Sequence, residues 1–479
     1  MTGAATVLIG GERLPVEATL PVHDPSTGEP FATIARGGPG EVDAAVQAAR
    51  AAFDRDWRHR TARDRARLLR ALAERLRADA EQLAALETRD TGKPLGQART
   101  DVEVAAQLLD FSADTVQALH GEVIPATVPD VTVMAQREPH GVTAHITPWN
   151  YPLPMVARTA GPALATGNCC VVKPAEDASL TTLRLAEIAL EVGFPPGALN
   201  VVPGLGGEAG AALAAHPNID HLSFTGSVRT GKLVARAAAE NAVPVALELG
   251  GKSPNLVFAD ADLERAVPAI VSSILAHAGQ TCSAGSRLLV ERAVYDRVVD
   301  EVRERFAAVR IGPGADDADL GPLINARQRD SVAAAVAAAA GDARVVTGGR
   351  VPAGLERGYF YEPTLLDRVT PDAPIAQEEV FGPVLVALPF DDAREAIAVA
   401  NGTAYGLVTG VWTRDLDRAL WLAREAQSGT VYVNLFGGGP EMPFGGVRQS
   451  GHGREKGFEA LRAFTRVKTV AVRAAGQEG

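Results

Sequence analysis

Between residues 40 and 120, apolar side chains recur at the spacing of amphipathic helices. A first helix is predicted from the apolar face formed by Ala45, Val46, Ala49 and Phe53. A second helix is predicted from a run of leucines: Leu68, Leu69, Leu72, Leu76, Leu83 and Leu86. The segment Thr91-Gly92-Lys93-Pro94 predicts the end of this second helix, because Gly followed by Pro is common at helix C-termini.

Strand-like patterns dominate two other parts of the chain. Residues 5–35 predict short strands, interrupted by Gly10-Gly11 and by a turn at 24–28. Further along, the predicted strands are 131–134, 142–146, 169–172, 199–202, 222–224 and 243–249, with helices predicted at 181–192 and 229–239. This alternation predicts a parallel sheet with helices on both faces.

A second α/β series follows, with helices predicted at 262–277, 293–308 and 325–340. Strands are predicted at 288–290, near Val345, Leu385 and Val431, and at 467–472. Because no internal repeat, low-complexity block or long linker separates the two series, we expect them to pack closely. The predicted fold class is α/β, with two doubly wound parallel-sheet domains.

Composition narrows the possible functions. A length of 479 residues suggests about two to four domains. The formal net charge of −11 argues against binding nucleic acid or an anionic membrane, since both need a basic face. Three cysteines cannot form a disulfide framework. The nine histidines lack metal-ligand spacing, so we predict no bound metal.

The same sequence indicates where the protein resides. Residues 1–5 lack the basic and apolar stretches of a signal peptide. The apolar run 332–340 is too short to cross a bilayer. We therefore expect a cytoplasmic protein.

Cys282 lies in a segment of small residues, where a small electrophile can approach closely. A lone cysteine is more often buried and inert, so reactivity depends on its partners. Glu248, within the apolar strand 243–249, would have a raised pKa and could act as a general base. Asn150 could donate to an oxyanion. A hydrogen-bonded structural Glu and a turn-forming Asn are the alternatives.

Two stretches could bind the phosphates of a nucleotide. Gly204-Leu205-Gly206-Gly207-Glu208-Ala209 fits the G-x-G-x-x-G/A pattern, although a single match is weak. The stretch from Phe224 to Gly231 fits no standard pattern but connects a strand to a helix, and we prefer it for that reason. Lys173 and Glu176, at the end of another strand, could hold ribose hydroxyls or form an ion pair facing water.

Together these stretches resemble the NAD(P)-dependent aldehyde dehydrogenase superfamily along nearly the whole chain. The matching motifs are Thr147-Pro148-Trp149-Asn150, Lys173-Pro174-Ala175-Glu176, Phe224-Thr225-Gly226-Ser227, Leu247-Glu248-Leu249-Gly250-Gly251-Lys252, Gly279-Gln280-Thr281-Cys282, Glu379-Val380-Phe381-Gly382-Pro383 and Pro443-Phe444-Gly445-Gly446. The resemblance implies that Cys282 attacks the aldehyde and that the Asn150 amide and the Cys282 N–H bind the oxyanion. It also implies that Glu248 activates water to hydrolyse the thioester.

The resemblance further implies a Rossmann-like cofactor domain. The implied cofactor contacts are Thr147, Pro148, Trp149, Lys173, Glu176, Gly226, Ser227, Leu249, Glu379 and Phe381. Within this set, Lys173 and Glu176 would contact the adenosine ribose, and Gly226 and Ser227 would approach the pyrophosphate. Glu176 would repel a 2′-phosphate, so we expect NAD rather than NADP.

The implied substrate pocket contains Tyr151, Met155, Arg158, Thr281, Ser283 and the loop 435–442. Arg158 would favour a carboxylate or hydroxyl on the aldehyde, as in the succinate-semialdehyde and lactaldehyde dehydrogenases of this family, or it forms a structural ion pair. The semialdehyde enzymes carry a second Arg where this chain has Ala276, which weakens the dicarboxylic assignment.

Relatives that transfer the acyl group to coenzyme A usually lack a Glu at the position of Glu248, so we expect hydrolysis to the acid. A CoA-acylating semialdehyde dehydrogenase and a non-catalytic structural homologue are the alternatives.

The implied domains are a dinucleotide-binding domain at 1–117 and 140–250, a catalytic domain at 251–459, and oligomerisation segments at 118–139 and 460–479. Strand 467–472 would pair with the 120–140 region and need a partner subunit to cover it, so we expect a homodimer or homotetramer.

Overall fold

The computed structural model describes residues 5–474 of the chain. It begins with two antiparallel strand pairs: β1 (Thr6–Ile9) with β2 (Glu12–Pro15), and β3 (Thr19–His23) with β4 (Pro30–Ala35). Gly10 and Gly11 connect β1 to β2 with φ values of +62° and +87°, a region that favours glycine. The short strands predicted in residues 5–35 are therefore confirmed.

Four helices follow: α1 (Pro39–Arg55), α2 (Ala62–Ala78), α3 (Ala80–Thr91) and α4 (Leu95–Thr115). The single second helix predicted from leucine spacing is wrong, because the leucines belong to two helices that meet at Asp79. Its carboxylate accepts a hydrogen bond from Arg75 Nε at 3.0 Å, and short polar side chains of this kind compete with the helix backbone. The predicted end at Gly92 is confirmed for α3, where Gly92 has a φ of +77°.

The first large sheet is mainly parallel. Its strands after β2 are β7 (Val142–Ile146), β8 (Cys169–Lys173), β9 (Leu199–Val201), β10 (His221–Thr225), β11 (Val245–Glu248) and β19 (Gly451–His452). They lie in the order β19-β11-β10-β7-β8-β9-β1-β2, with β7 to β11 parallel and β1, β2 and β19 antiparallel. The predicted parallel sheet is confirmed.

Helices α5 (Pro152–Ala165), α6 (Leu180–Glu191), α7 (Ala211–Ala214) and α8 (Val228–Ala239) connect these strands. Helix α5 was not predicted. Every one of its residues is buried, so it has no polar face from which a helical period could be recognised.

The second large sheet repeats this architecture. Its strands are β12 (Pro254–Val257), β13 (Arg287–Glu291), β14 (Arg344–Thr347), β15 (Thr364–Asp367), β16 (Val384–Phe390), β17 (Val408–Trp412) and β18 (Thr430–Val433). Its helices are α9 (Leu263–Leu275), α10 (Tyr295–Ala307), α11 (Ala326–Ala339), α12 (Pro374–Gln377), α13 (Ala393–Asn401) and α14 (Leu416–Glu425). The strand order is β14-β15-β16-β13-β12-β17-β18, and only β14 is antiparallel to its neighbour. The α/β fold class with two parallel-sheet layers is confirmed.

A small third sheet contains β5 (Glu122–Ile124), β6 (Val131–Pro139) and β20 (Thr465–Arg473), with helix α15 (Gly457–Ala463) just before β20. Strands β6 and β20 pair antiparallel along their whole length, which confirms the predicted pairing of the last strand. Val123 is 75% exposed and Val467 is 58% exposed, so this sheet presents apolar side chains on its outside.

The loops that follow β7 and β11 and the loop between α9 and β13 meet between the two large sheets. Ligands commonly bind at the carboxyl ends of parallel strands, which is where the first two loops begin. In the stretch from residue 5 to residue 474, no helix has both the length and the apolar character needed to cross a membrane.

Candidate active site

Cys282 lies on a tightly folded loop. Before it, His277, Ala278 and Gly279 have positive φ values of +47°, +53° and +72°. A Cβ on Gly279 would lie 2.1 Å from the carbonyl oxygen of Gly382, so only glycine fits this close approach. Gln280 is fully buried and accepts the Ile324 N–H at 2.9 Å. The loop is therefore held against the segment that carries Glu379 and Phe381.

The Cys282 thiol is half-buried and free of any disulfide. Burial raises its pKa to about 12, Arg158 opposes that rise, and the carboxylate of Glu248 adds to it. A thiol with this pKa is protonated near neutral pH, so a base must accept its proton before it can act as a nucleophile.

Asn150 lies beside the Cys282 loop. Its side chain is buried, and Nδ2 donates to the carbonyl oxygen of Gln280 at 2.9 Å. The next residue makes a second link, since the Tyr151 hydroxyl lies 2.5 Å from Thr281 Oγ1. The structure thus brings together the two residues that the sequence predicted to share an oxyanion site.

Glu248 lies at the end of β11, and its side chain is 3% exposed. Within residues 5–474, neither carboxylate oxygen has a hydrogen-bond partner. Burial and the neighbouring Glu455 carboxylate raise the pKa of Glu248 well above its ordinary value, while Arg158 lowers it. A buried carboxyl with a raised pKa and unoccupied oxygens is suited to general-base chemistry.

Arg158, on α5, forms ion pairs instead of standing free in the pocket. Its Nε contacts Glu455 Oε2, and its Nη2 lies 3.7 Å from Glu248 Oε2. The guanidinium also lies over the Phe444 ring, 4.5 Å from its centroid. This arrangement favours the ion-pair alternative for Arg158 over an anion receptor, because carboxylates of the protein already balance its charge.

Sequence reasoning missed several residues of this site. Glu455 has no motif of its own, and it lies within hydrogen-bond reach of Ser223 Oγ at 3.2 Å only because β10 and the C-terminal loops meet. Near Cys282, an apolar cluster is formed by Leu407, Val408, Tyr432, Phe436 and Phe444. In the predicted pocket, Met155 is buried and Ser283 half-buried, while Leu435 and Met442 of the 435–442 loop are exposed.

The predicted ribose contacts lie together at the end of β8. Lys173 Nζ donates to Glu176 Oε2 at 3.0 Å. Burial would raise the pKa of Glu176, but Lys173 holds it below its ordinary value, so the carboxylate is ionised near neutral pH. An ionised carboxylate can accept hydrogen bonds from ribose hydroxyls and repels a 2′-phosphate.

The two phosphate-loop candidates differ in local structure. Ser227 is the N-cap of the twelve-residue helix α8, and its hydroxyl accepts the Thr230 N–H at 3.3 Å. The Gly226 N–H donates to the backbone oxygen of Glu248 at 3.0 Å, so it is already used within the protein. In the G-x-G-x-x-A stretch, Glu208 forms an exposed ion pair with Arg36, and Gly206–Gly210 form a π-helical turn that continues into the four-residue helix α7. The N-terminus of the longer regular α-helix, at Ser227, is the preferred candidate.

Two of the remaining predicted cofactor residues, Glu379 and Phe381, contact the segments that follow β11 and β7. Glu379 Oε1 accepts the Gly251 N–H at 3.0 Å, and burial raises the pKa of Glu379 to about 7. The Phe381 ring meets Trp149 edge-on, with centroids 5.4 Å apart. Leu249, like Gly251, follows β11, and Pro148 precedes Trp149.

The donor set fits a dinucleotide. Thr147 Oγ1 is buried and has no hydrogen-bond partner in the described chain, which leaves it available to a ligand. A Cβ on Gly250 would lie 2.0 Å from Glu379 Oε2, so glycine keeps this carboxylate close to the backbone.

The aldehyde dehydrogenase family model matches residues 14–470. The chain is 43% identical to the hydroxyisobutyraldehyde dehydrogenase of Mycolicibacterium austroafricanum, over 97% of this chain and 93% of that protein. A Burkholderia cenocepacia crystal structure, provisionally described as an aldehyde dehydrogenase, is 54% identical with a TM-score of 0.96, over 98% of this chain and 100% of that one. The Staphylococcus aureus betaine aldehyde dehydrogenase in complex with NAD+ is 37% identical with a TM-score of 0.97, over 99% and 96% of the two chains.

Proposed function

The chain belongs to the aldehyde dehydrogenase family, and from that premise we propose that it oxidises an aldehyde to the carboxylic acid with NAD, through a thioester on Cys282. The observation that carries this proposal is the convergence of Asn150 and Glu248 on the Cys282 loop, from distant parts of the sequence. The predicted cofactor residues include an ionised carboxylate at Glu176 and the N-terminus of α8 at Ser227, which fit a dinucleotide.

The first step is attack of the Cys282 sulfur on the aldehyde carbon. The thiol proton passes to the Glu248 carboxylate, whose raised pKa suits it as an acceptor. One N–H of the Asn150 amide donates to Gln280, which leaves the second N–H for the oxyanion of the thiohemiacetal. Such a donor typically contributes ~3 kcal/mol to the transition state.

NAD, when bound, supplies the hydride acceptor that turns the thiohemiacetal into a thioester. Lys173 and Glu176 would hold its adenosine ribose, and Glu379 its nicotinamide ribose. The N-terminus of α8 at Ser227 would face the pyrophosphate. The ionised Glu176 favours NAD over NADP.

After Glu248 has released the thiol proton to solvent, it accepts a proton from water, and the resulting hydroxide attacks the thioester carbonyl. The free oxygens of Glu248 support this role, because each can accept a hydrogen bond from the attacking water. Collapse of the tetrahedral intermediate releases the acid and returns the thiolate. Transfer to coenzyme A is the alternative, and product analysis with and without coenzyme A distinguishes the two.

We propose a small uncharged aldehyde, with a hydroxyl tolerated, as the substrate class. The charge of Arg158 is opposed by Glu248 and Glu455, so a carboxylate on the substrate would find no free cation there. The apolar cluster beside Cys282 supports an aliphatic chain.

The test is NADH formation with isobutyraldehyde, 3-hydroxypropanal and succinate semialdehyde, using wild type, Cys282→Ser and Arg158→Ala. Cys282→Ser should lose at least ~10⁴-fold in turnover, since it removes the nucleophile. Arg158→Ala should lower turnover of all three aldehydes alike, through Glu248. Selective loss of the carboxy-aldehyde would contradict the substrate proposal, and full activity of Cys282→Ser would contradict the mechanism.

We also propose that the small third sheet is covered by a partner subunit, since β20 leaves apolar side chains exposed. Sedimentation analysis of wild type and Val467→Glu tests this, because a charge in that interface should favour the monomer. We further propose a cytoplasmic location and three structural units. These are a dinucleotide-binding domain at 1–117 and 140–250, a catalytic domain at 251–459, and oligomerisation segments at 118–139 and 460–479.

A further inference from the structure

A buried ion cluster lies beneath the Asn150 loop, and the mechanism above does not use it. Lys93 Nζ donates to Glu87 Oε1 at 3.2 Å, contacts Asp101 Oδ2, and donates to the backbone oxygen of Asn150 at 3.0 Å. The Lys93 and Glu87 side chains are fully buried, and that of Asp101 is 10% exposed. Burial alone would lower the pKa of Lys93, but the carboxylates of Asp101 and Glu87 raise it above its ordinary value.

The same ammonium also holds Tyr151. Lys93 Nζ lies over the Tyr151 ring, 4.4 Å from its centroid, at a distance where a cation attracts the face of the ring. The Tyr151 hydroxyl lies 2.5 Å from Thr281 Oγ1, next to Cys282. Lys93 therefore contacts both consecutive residues of the loop that face the nucleophile.

The backbone fixes Lys93 in this position. Gly92 ends α3 with a φ of +77°, and a Cβ there would lie 2.6 Å from Pro322. A Cβ on Gly321 would lie 2.2 Å from the Gly92 carbonyl oxygen. Because the turn is packed this closely, Lys93 has little freedom to follow a shift of the Asn150 loop.

We propose that Lys93 is a positioning residue for catalysis, which sets the Asn150 amide and Tyr151 relative to Cys282 by clamping the backbone of their loop. This inference rests on the proposed function, in which the Asn150 amide binds the oxyanion. A displacement of about 1 Å in a catalytic group can cost ~100-fold in rate. Loss of the buried, charge-assisted hydrogen bond from Lys93 to the Asn150 backbone should therefore lower turnover strongly.

A double-mutant cycle tests the proposal. Asn150→Ala and Lys93→Met are measured alone and together, as kcat per folded enzyme, with the folded fraction taken from urea-unfolding curves. We expect Asn150→Ala to cost ~100-fold in the wild type. In the Lys93→Met background it should cost less than ~3-fold, because the amide is already misplaced. The KM for NAD should not change.

Arg99→Met is the matched control, since it removes a cation from the start of α4 that pairs on the surface with Glu81. In that background Asn150→Ala should keep its full cost. If Lys93→Met fails to fold, Lys93→Met/Asp101→Asn removes one cation and one carboxylate together and takes its place in the cycle.

The outcomes separate the two proposals. An Asn150→Ala cost that is equal with and without Lys93 overturns the positioning role and leaves the proposed function intact. An Asn150→Ala variant with wild-type turnover overturns both. A change in the KM for NAD equal to the change in kcat would show a general structural role for Lys93 and would also overturn the inference.

Discussion

Two buried ion clusters adjoin the residues proposed to act with Cys282. On the Asn150 side, Lys93 stands between Glu87 and Asp101. On the Glu248 side, Arg158 stands between Glu248 and Glu455. Each cluster contains one cation and two carboxylates, and each adjoins a residue with a proposed catalytic role.

The clusters differ in their hydrogen bonding. The Lys93 ammonium has acceptors on two carboxylates and on the Asn150 backbone. On the other side, both Glu248 oxygens and Nε and Nη2 of Arg158 lack hydrogen-bond geometry to any partner in residues 5–474. The first cluster is therefore suited to hold a loop in place, and the second leaves its carboxylates able to exchange protons.

Two clusters with the same number of charges can therefore have different roles. A fully hydrogen-bonded buried cation fixes its surroundings, because any movement leaves a charge unpaired. A carboxylate that keeps its oxygens free, at the cost of a raised pKa, remains able to accept a proton from water. Changes on the Lys93 side should thus affect stability most, and changes on the Glu248 side should affect turnover and its pH dependence most.

Among changes within the two clusters, the largest expected effect is that of Glu248→Gln on turnover. The amide cannot accept a proton, so thioester hydrolysis should slow by ~10³-fold while the fold is kept. Stopped-flow measurement should show slow NADH formation without an initial burst, because the variant also lacks the acceptor for the Cys282 thiol proton. If Glu248→Gln keeps wild-type steady-state turnover, another group is the base. The proposed difference in role between the two clusters would then be wrong.

The second effect concerns stability. Lys93→Met leaves two buried carboxylates without their cation and should lower the unfolding free energy by about 3–5 kcal/mol. Arg99→Met, which breaks an exposed pair with Glu81, should change it by less than about 1 kcal/mol. Urea unfolding followed by tryptophan fluorescence measures both. An equal loss in the two variants would mean that the Lys93 cluster does not hold the loop.

The sequence predicted the architecture and indicated Asn150 and Cys282, whose loops the fold brings together, but it did not indicate the ion pairs that surround them. The sequence indicates Lys93 only as part of the segment that ends a helix. Its contact with Asn150 is not visible there, because the two residues are 57 positions apart. For Arg158 the sequence leaves both a substrate contact and a structural ion pair open, since the carboxylate of Glu455 that pairs with it lies on a loop near the end of the chain. Helix α5 escaped detection because it is buried on all sides.

A third prediction concerns the pH dependence of the Lys93 cluster. Burial raises the pKa of Glu87 to about 7, from an ordinary value of 4.5. Between these values the folded protein keeps a proton that the unfolded chain has lost, so stability should fall as the pH rises from about 4.5 to about 7. Glu87→Gln should remove up to about 3 kcal/mol of this fall. Glu81→Gln, an exposed change on the same helix, should leave the slope as in wild type.

The smallest effect is expected on the Glu248 side, in the acidic limb of the pH–rate profile. The Glu455 carboxylate raises the pKa of Glu248, so Glu455→Gln should lower that pKa. Since the ionised form of Glu248 is the active one, the limb should move to lower pH. Glu459→Gln, which removes a half-exposed carboxylate four residues away, is the control and should leave the limb in place. A limb that stays fixed in Glu455→Gln would mean that the two carboxylates act independently, and the Glu248 side would then be a static ion cluster like the one around Lys93.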